Sequence, residues 1–121
     1  MNTPNRLSEI VDDYIRHAHA DYVGLWQIAS RIRLDLELDD GKRVEQQTLI
    51  VVRQLVDRGL LPGDYFKSGF NFWNEDDTEA IVARIKKEWD FGHGDPTLAN
   101  PICWFAPRPK YVIGSRRLAR R

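Results

Sequence analysis

The chain has 121 residues, in which 18 lysine and arginine residues balance 18 aspartate and glutamate residues, and 42% of the residues are apolar. These values predict one domain with one hydrophobic core, and they exclude a multidomain enzyme, a collagen-like repeat and a wholly disordered chain. No apolar run approaches the roughly 18 residues of a membrane span, and no secretory leader is visible. The single cysteine fits a reducing compartment. We therefore expect a cytoplasmic protein without membrane contact.

The first half of the chain predicts three amphipathic helices. The first begins at Thr3 as its N-cap residue, and the second begins after Asp21 in the same role. The third runs from about Arg43 to Arg58, and Gly59 follows as the left-handed residue that ends it. Apolar residues three and four apart give each helix one buried face. In the third helix that face consists of Val44, Thr48, Val51, Val52, Leu55 and Val56.

A β-hairpin is predicted directly after the third helix. Pro62-Gly63-Asp64 is expected to bend the chain, and Lys67-Ser68-Gly69 to form the turn between two aromatic strands. Because strand side chains alternate between faces, Phe70 and Phe72 should share one face. We expect at least half of the rings in this hairpin to lie in the core.

A fourth helix and one more strand complete the predicted domain. Asn74 is expected to cap the helix, whose core positions are Ile81, Ile85 and Trp89. Ile102 to Phe105 is predicted as a strand that ends before Pro107. Three helices followed by a hairpin is the order of a winged-helix domain. We therefore predict an α+β, winged-helix-like fold with a three-helix core, a β-hairpin wing, a fourth helix and a C-terminal third strand.

The charges divide the chain into two parts. Residues 107–121 contain six basic residues and no acid, a charge of +6, whereas residues 1–106 contain 12 basic and 18 acidic residues, a charge of −6. We predict a domain over residues 1–106 and a basic, partly disordered tail over residues 107–121. A nucleic-acid arm and a strap lying on the acidic domain remain alternatives for the tail.

A winged-helix protein that binds DNA needs a basic reading surface. The third helix offers Gln47 and Arg53, the wing offers Lys67, and the tail offers Arg116 and Arg117. These five residues are the candidate DNA-binding residues. Acidic side chains on the same helix and after the wing oppose the approach of phosphate, so nucleic acid is the less favoured partner.

No catalytic motif, metal site or cofactor site is predicted. His17 and His19 are two residues apart, which points them in different directions on a helix. His93 lies in a glycine-containing loop with only Asp95 as a nearby partner, and Cys103 lies in an apolar strand where a buried, inert thiol is expected. Phosphate-binding glycine motifs and nucleophile elbows are absent from the sequence. We therefore expect no enzyme activity and no cofactor.

Protein binding is the favoured function because the domain is acidic and the wing is aromatic. Aromatic side chains beside acids suit a pocketed, basic partner surface. The candidate partner-binding residues are Asp64, Tyr65, Glu75, Asp76, Asp77 and Ile50.

Several segments resemble a group of small, uncharacterised bacterial winged-helix-like proteins of the toxin-immunity type. They are Asp21–Trp26, Arg58–Asp64, Glu88-Trp89 and Trp104-Phe105. The resemblance covers about Ile10 to Phe105 and leaves out the basic tail. It implies that the protein binds and blocks a cognate toxin, and many such toxins are nucleases with basic clefts.

Two other functions remain open at this stage. One is a winged-helix transcriptional regulator that binds DNA. The other is a structural subunit, which measurement of self-association would identify, since the sequence leaves the oligomeric state open.

Overall fold

A computed structural model describes residues 3–92 and 94–109, and its elements follow the order α1, β1, α2, α3, β2, β3, α4, β4. The helices are α1 (Thr3–Ala18), α2 (Leu25–Asp35), α3 (Gly41–Asp57) and α4 (Thr78–Gly92). The strands are β1 (Val23–Gly24), β2 (Leu60–Phe66), β3 (Gly69–Phe72) and β4 (Trp104–Pro107). The predicted α+β fold, with four helices and a hairpin after the third, is confirmed.

The four strands form one antiparallel sheet in the order β1-β4-β2-β3. Phe105 of β4 pairs with Val23 on one side and Pro62 on the other. The C-terminal strand is therefore the fourth strand, not the third. The sequence prediction missed β1 because a strand of two residues is too short to show alternation.

One face of the sheet packs against the helices and forms the core with them. Val23 and Phe105 on this face are fully buried, and α1 and α3 pack against the strands. The predicted inner faces of the helices are also confirmed. The fully buried side chains among them are Ile10, Ile28, Ile32, Val44, Val51, Val52, Leu55, Ile81 and Ile85.

The cap predicted for α2 is wrong, whereas the end of α3 is confirmed. Gly24, not Asp21, precedes α2, and its N–H donates to the Gln27 side chain over 2.7 Å. Asp21 instead accepts from the N–H of Tyr22. At the far end of α3, Gly59 has a φ of 105°, as expected of the residue after a helix C-cap.

Two further boundaries differ from the prediction. β4 extends to Pro107 and begins at Trp104, two residues after the predicted start at Ile102. Pro107 pairs with Leu60, and the N–H of Arg108 donates to Gly59. Residues 110–121 lie outside the described residues, so the division into a domain and a basic tail stays a prediction.

The predicted bend at Pro62-Gly63-Asp64 is wrong, because all three residues continue β2. Proline is tolerated here because position 62 directs its backbone toward Trp73, one residue past the end of β3, so the missing N–H removes no hydrogen bond to β4. Gly63 is required by its surroundings. A Cβ atom at this position would lie 2.5 Å from the Asn71 carbonyl oxygen and 2.6 Å from the Phe70 ring.

We expect Gly63→Ala to lower the free energy of unfolding by about 1–3 kcal/mol, because the added methyl group meets backbone as well as a ring. Urea unfolding measures this loss. Gly94→Ala is the matched control, since a Cβ there has no neighbour within 4 Å; its effect should stay within about 0.5 kcal/mol. Equal stability of the two variants would contradict the close approach of β2 and β3.

Candidate partner-binding surface

The outer flank of α3 is occupied by α4, which runs antiparallel to it. Three ion pairs at successive heights join the helices: Lys42–Asp90 at 3.5 Å, Glu45–Lys86 at 3.3 Å and Arg53–Glu79 at 2.9 Å. The hydrogen bond from Lys86 lowers the pKa of Asp90, which keeps that carboxylate ionised. These charges are used within the fold rather than presented to a partner.

The acidic side chains of α3 were expected to oppose DNA from its exposed face, but one of them, Glu45, is only 2% exposed. Its two carboxylate oxygens accept from Lys42 at 3.2 Å and from Lys86 at 3.3 Å. The spacing of Lys42 and Glu45 is visible in the sequence and indicates their pairing within one helix, but the sequence does not show that α4 brings Lys86 to the same carboxylate.

The candidate DNA-binding residues are not assembled on one free surface of the described residues. Arg53 donates to Glu79 through both Nε and Nη2, so its planar guanidinium group is engaged. Gln47 is half-buried, and its Oε1 atom has no hydrogen-bond partner. Lys67 is exposed in the hairpin turn. Arg116 and Arg117 lie outside the described residues.

The second face of the sheet carries a cluster of rings that we call the aromatic face. Its members are Tyr22, Tyr65, Phe70, Phe72 and Trp104. Tyr22 stacks on Phe70 with centroids 4.7 Å apart, Tyr65 meets Trp104 edge-on at 5.8 Å, and Phe70 meets Phe72 at 4.9 Å. The predicted shared face of Phe70 and Phe72 is therefore confirmed.

The expectation that most hairpin rings are core is wrong. Only Trp73 is buried, at 8% exposure, whereas Tyr65 is 53% exposed and Phe66 57% exposed. The rings pack on one another because the helices cover only the opposite face of the sheet.

Two of the candidate partner-binding residues, Asp64 and Tyr65, lie on opposite faces of the sheet. Adjacent residues on a strand point to opposite faces, so Tyr65 joins the aromatic face whereas Asp64 and Phe66 share the other. The end of the hairpin therefore carries one exposed ring on each face. Asp64 makes no ion pair among the described residues.

The three acids after β3 have three different roles. Glu75 pairs with Arg84 at 2.8 Å. Burial acts to raise the pKa of Glu75, but a backbone hydrogen bond and Arg84 outweigh it and lower that pKa. Asp77 accepts from the N–H of Ala80 at 3.1 Å, so it caps α4 in place of the predicted Asn74. Asp76 is exposed and makes no ion pair within the described ranges.

Ile50 lies on α3, apart from the hairpin, and is 40% exposed. The structure therefore divides the six candidate residues among α3, the hairpin and the segment between β3 and α4.

A groove of about 860 Å³ runs along α4 beside the loop before β4. The guanidinium group of Arg84 borders it, stacks 3.7 Å from the Trp73 ring centroid and pairs with Glu75 and Glu88. Lys87 adds a second positive charge, so the lining carries as many bases as acids. Sequence reasoning missed this groove and its exposed ring, Phe91, because a loop forms one wall. Arg84 and the two glutamates pair with one another, whereas Lys87 makes no ion pair among the described residues.

The residues considered for catalysis are dispersed. His17 and His19 are exposed at the end of α1, and His93 lies outside the described residues. Burial raises the pKa of the Cys103 thiol well above its usual value, and Glu88 and Asp64 add to this effect. Within residues 3–92 and 94–109, no three His, Cys, Asp or Glu side chains gather as a metal site.

Comparison of the chain with protein-family models, curated proteins and solved structures finds no match. The fold itself defines the class, a small α+β protein with a four-stranded antiparallel sheet. None of its described helices has the length and apolar character needed to cross a bilayer.

We expect Asp77→Ala to lower the free energy of unfolding by about 1 kcal/mol, since α4 then loses its capping carboxylate. Asp76→Ala is the matched control and should change stability by less than about 0.5 kcal/mol. Thermal or urea unfolding of the two variants makes the comparison. A larger loss for Asp76→Ala would show that the cap is misassigned.

Proposed function

We propose that this protein is a non-catalytic protein-binding module, an immunity-type inhibitor that inserts its hairpin into the cleft of a basic, nuclease-type toxin. The observation that carries the proposal is the pair of exposed rings at the hairpin end, Tyr65 on one face and Phe66 on the other. A projecting hairpin with a ring on each face fits a concave cleft, whose two walls it contacts together. Exposed aromatic side chains are the residues that most often anchor such interfaces.

Charge supports the same partner. The described residues carry 18 acids and 13 bases, a formal charge of −5. Asp64 and Asp76 lack ion-pair partners there, so their negative charge acts outward near the hairpin. An acidic binder attracts a basic cleft and accelerates encounter with it. A cytoplasmic location belongs to this proposal.

A winged-helix fold is the finer architecture that we propose, and it brings a second candidate function, DNA-binding regulation. The order α1, β1, α2, α3, β2, β3 supports it, with α3 as the recognition helix and the β2–β3 hairpin as the wing. Two features weigh against DNA binding. Arg53 is held by Glu79, and Lys67 is the single base of the hairpin.

We expect a toxin-like reading frame directly upstream of the gene, and its purified product is the probe for binding. Asp64→Lys should lower the association rate constant about tenfold at low salt, since it reverses a charge near the cleft. Lys67→Glu should raise that rate, because it removes the one cation of the hairpin. Stopped-flow mixing measures both.

Phe66→Ala should raise the dissociation constant by at least about fivefold, as expected for loss of an interface anchor. Leu98→Ala is its control, since Leu98 is an exposed apolar residue away from the hairpin. A complex that tolerates both Phe66→Ala and Asp64→Lys would overturn the hairpin as the binding surface.

Binding to duplex DNA tests the regulator hypothesis, because Lys67→Glu should weaken DNA binding whereas it should speed association with a basic toxin. We expect no duplex binding at low salt in a gel shift. The affinity of a regulator for duplex DNA would depend strongly on salt. Lys67→Glu and Arg53→Ala would lower that affinity, and Glu79→Gln would raise it, because it releases Arg53. That pattern would replace the inhibitor proposal with the regulator.

A further inference from the structure

The outer edge of β3 is unpaired within the described residues, since β3 is last in the sheet order. The N–H of Trp73 donates to the Pro62 carbonyl at 3.0 Å, so positions 62 and 73 form a hydrogen-bonded pair. Hydrogen-bonded and non-bonded pairs alternate along antiparallel strands. It follows that Phe70 and Phe72, opposite Tyr65 and Gly63, direct their N–H and C=O groups outward.

Apart from its length of four residues, this edge has none of the usual protection against another strand. Natural edge strands carry charges, proline or bulges that prevent pairing. Residues 69–72 read Gly-Phe-Asn-Phe, without charge or proline, and the register with β2 has no bulge. Phe72 is 37% exposed, and Asn71 is exposed beside it.

We propose that this edge pairs with the same edge of a second copy of the chain, giving a symmetric dimer with a continuous eight-stranded sheet. A two-fold interface requires a self-complementary surface. The segment Phe70-Asn71-Phe72 is palindromic, so an antiparallel pair centred on Asn71 places Phe70 opposite Phe72 of the partner subunit. Both residues direct backbone groups outward, so the pairing forms four backbone hydrogen bonds and joins the two aromatic faces.

Charge favours a second copy in this register. Residues 66–74 hold one lysine and no acid, so the pairing brings no carboxylates of the two acidic domains face to face. The interface is small, so we expect a dissociation constant on the order of 100 µM.

Asn71 tests the register because it lies on the two-fold axis opposite Asn71 of the partner subunit. Within one chain it pairs with Asp64, so Asn71→Lys gains an opposite charge there and preserves the fold. In the dimer the same change sets two lysines directly opposite, and like charges in that position are unfavourable. Asn71→Lys should therefore weaken self-association about fivefold at low salt.

The experiment is sedimentation equilibrium of the full chain from about 1 µM to about 1 mM. Wild type should show monomer and dimer, and Asn71→Lys and Asn71→Asp should each shift toward monomer; circular dichroism must show that Asn71→Asp, which faces Asp64 within its own chain, stays folded. An equimolar mixture of the two variants should recover dimer, since lysine then faces aspartate across the axis. Wild type that stays monomeric throughout, or a mixture no more associated than its components, overturns the proposal. Both readings are independent of any toxin or DNA.

Discussion

The pairing of β4 between β1 and β2 makes one sheet of the four strands, because β1 and the β2–β3 hairpin each pair with β4 and not with each other. Phe105 pairs with both Val23 and Pro62 and has no exposed surface. The turn that starts this strand is strained. Ile102 has a φ of 67°, a conformation that β-branched residues rarely adopt and that costs on the order of 1–3 kcal/mol. Burial of Phe105 and Cys103 beyond the turn compensates for that strain.

Most of the fold was predictable because its helices are amphipathic and its hairpin turn has a glycine signal. The start of α3 was predicted within two residues because its buried positions recur at helical spacing. The hairpin was predicted from the glycine of its turn, and Gly69 has a φ of 121°, which glycine adopts readily. The errors fall where several residues had the same local chemistry. Asn74 and Asp77 are both good caps, and only the position of α4 decides between them. Pro62-Gly63 has the composition of a turn, yet pairing with β4 holds its backbone in the extended conformation of a strand.

Less of the candidate surface was predictable, because it depends on which residues share a face. Asp64 and Tyr65 are adjacent in sequence and lie on opposite sides of the sheet. Asp76 and Asp77 look equivalent in sequence and both are exposed, but Asp77 is the one that accepts a hydrogen bond from the first turn of α4. The rings of the hairpin were expected in the core because a small domain needs apolar side chains. The four helices already supply that core, which leaves the rings to pack among themselves.

The position of the charges matters more than their sum, which is zero for the whole chain. Lys42, Glu45 and Arg53 of α3 each pair with an opposite charge on α4, so the charges on that side of α3 neutralise one another. Asp64, near the hairpin end, makes no ion pair among the described residues. The described part of the basic segment leaves the sheet at Pro107, opposite Leu60 at the other end of β2. Six residues of strand separate Leu60 from Phe66, about 20 Å. Arg108, the base of that segment within the described residues, therefore lies near the opposite end of β2 from Lys67. A DNA reader would need several bases at its wing, whereas the described hairpin holds the single base Lys67 and the acid Asp64.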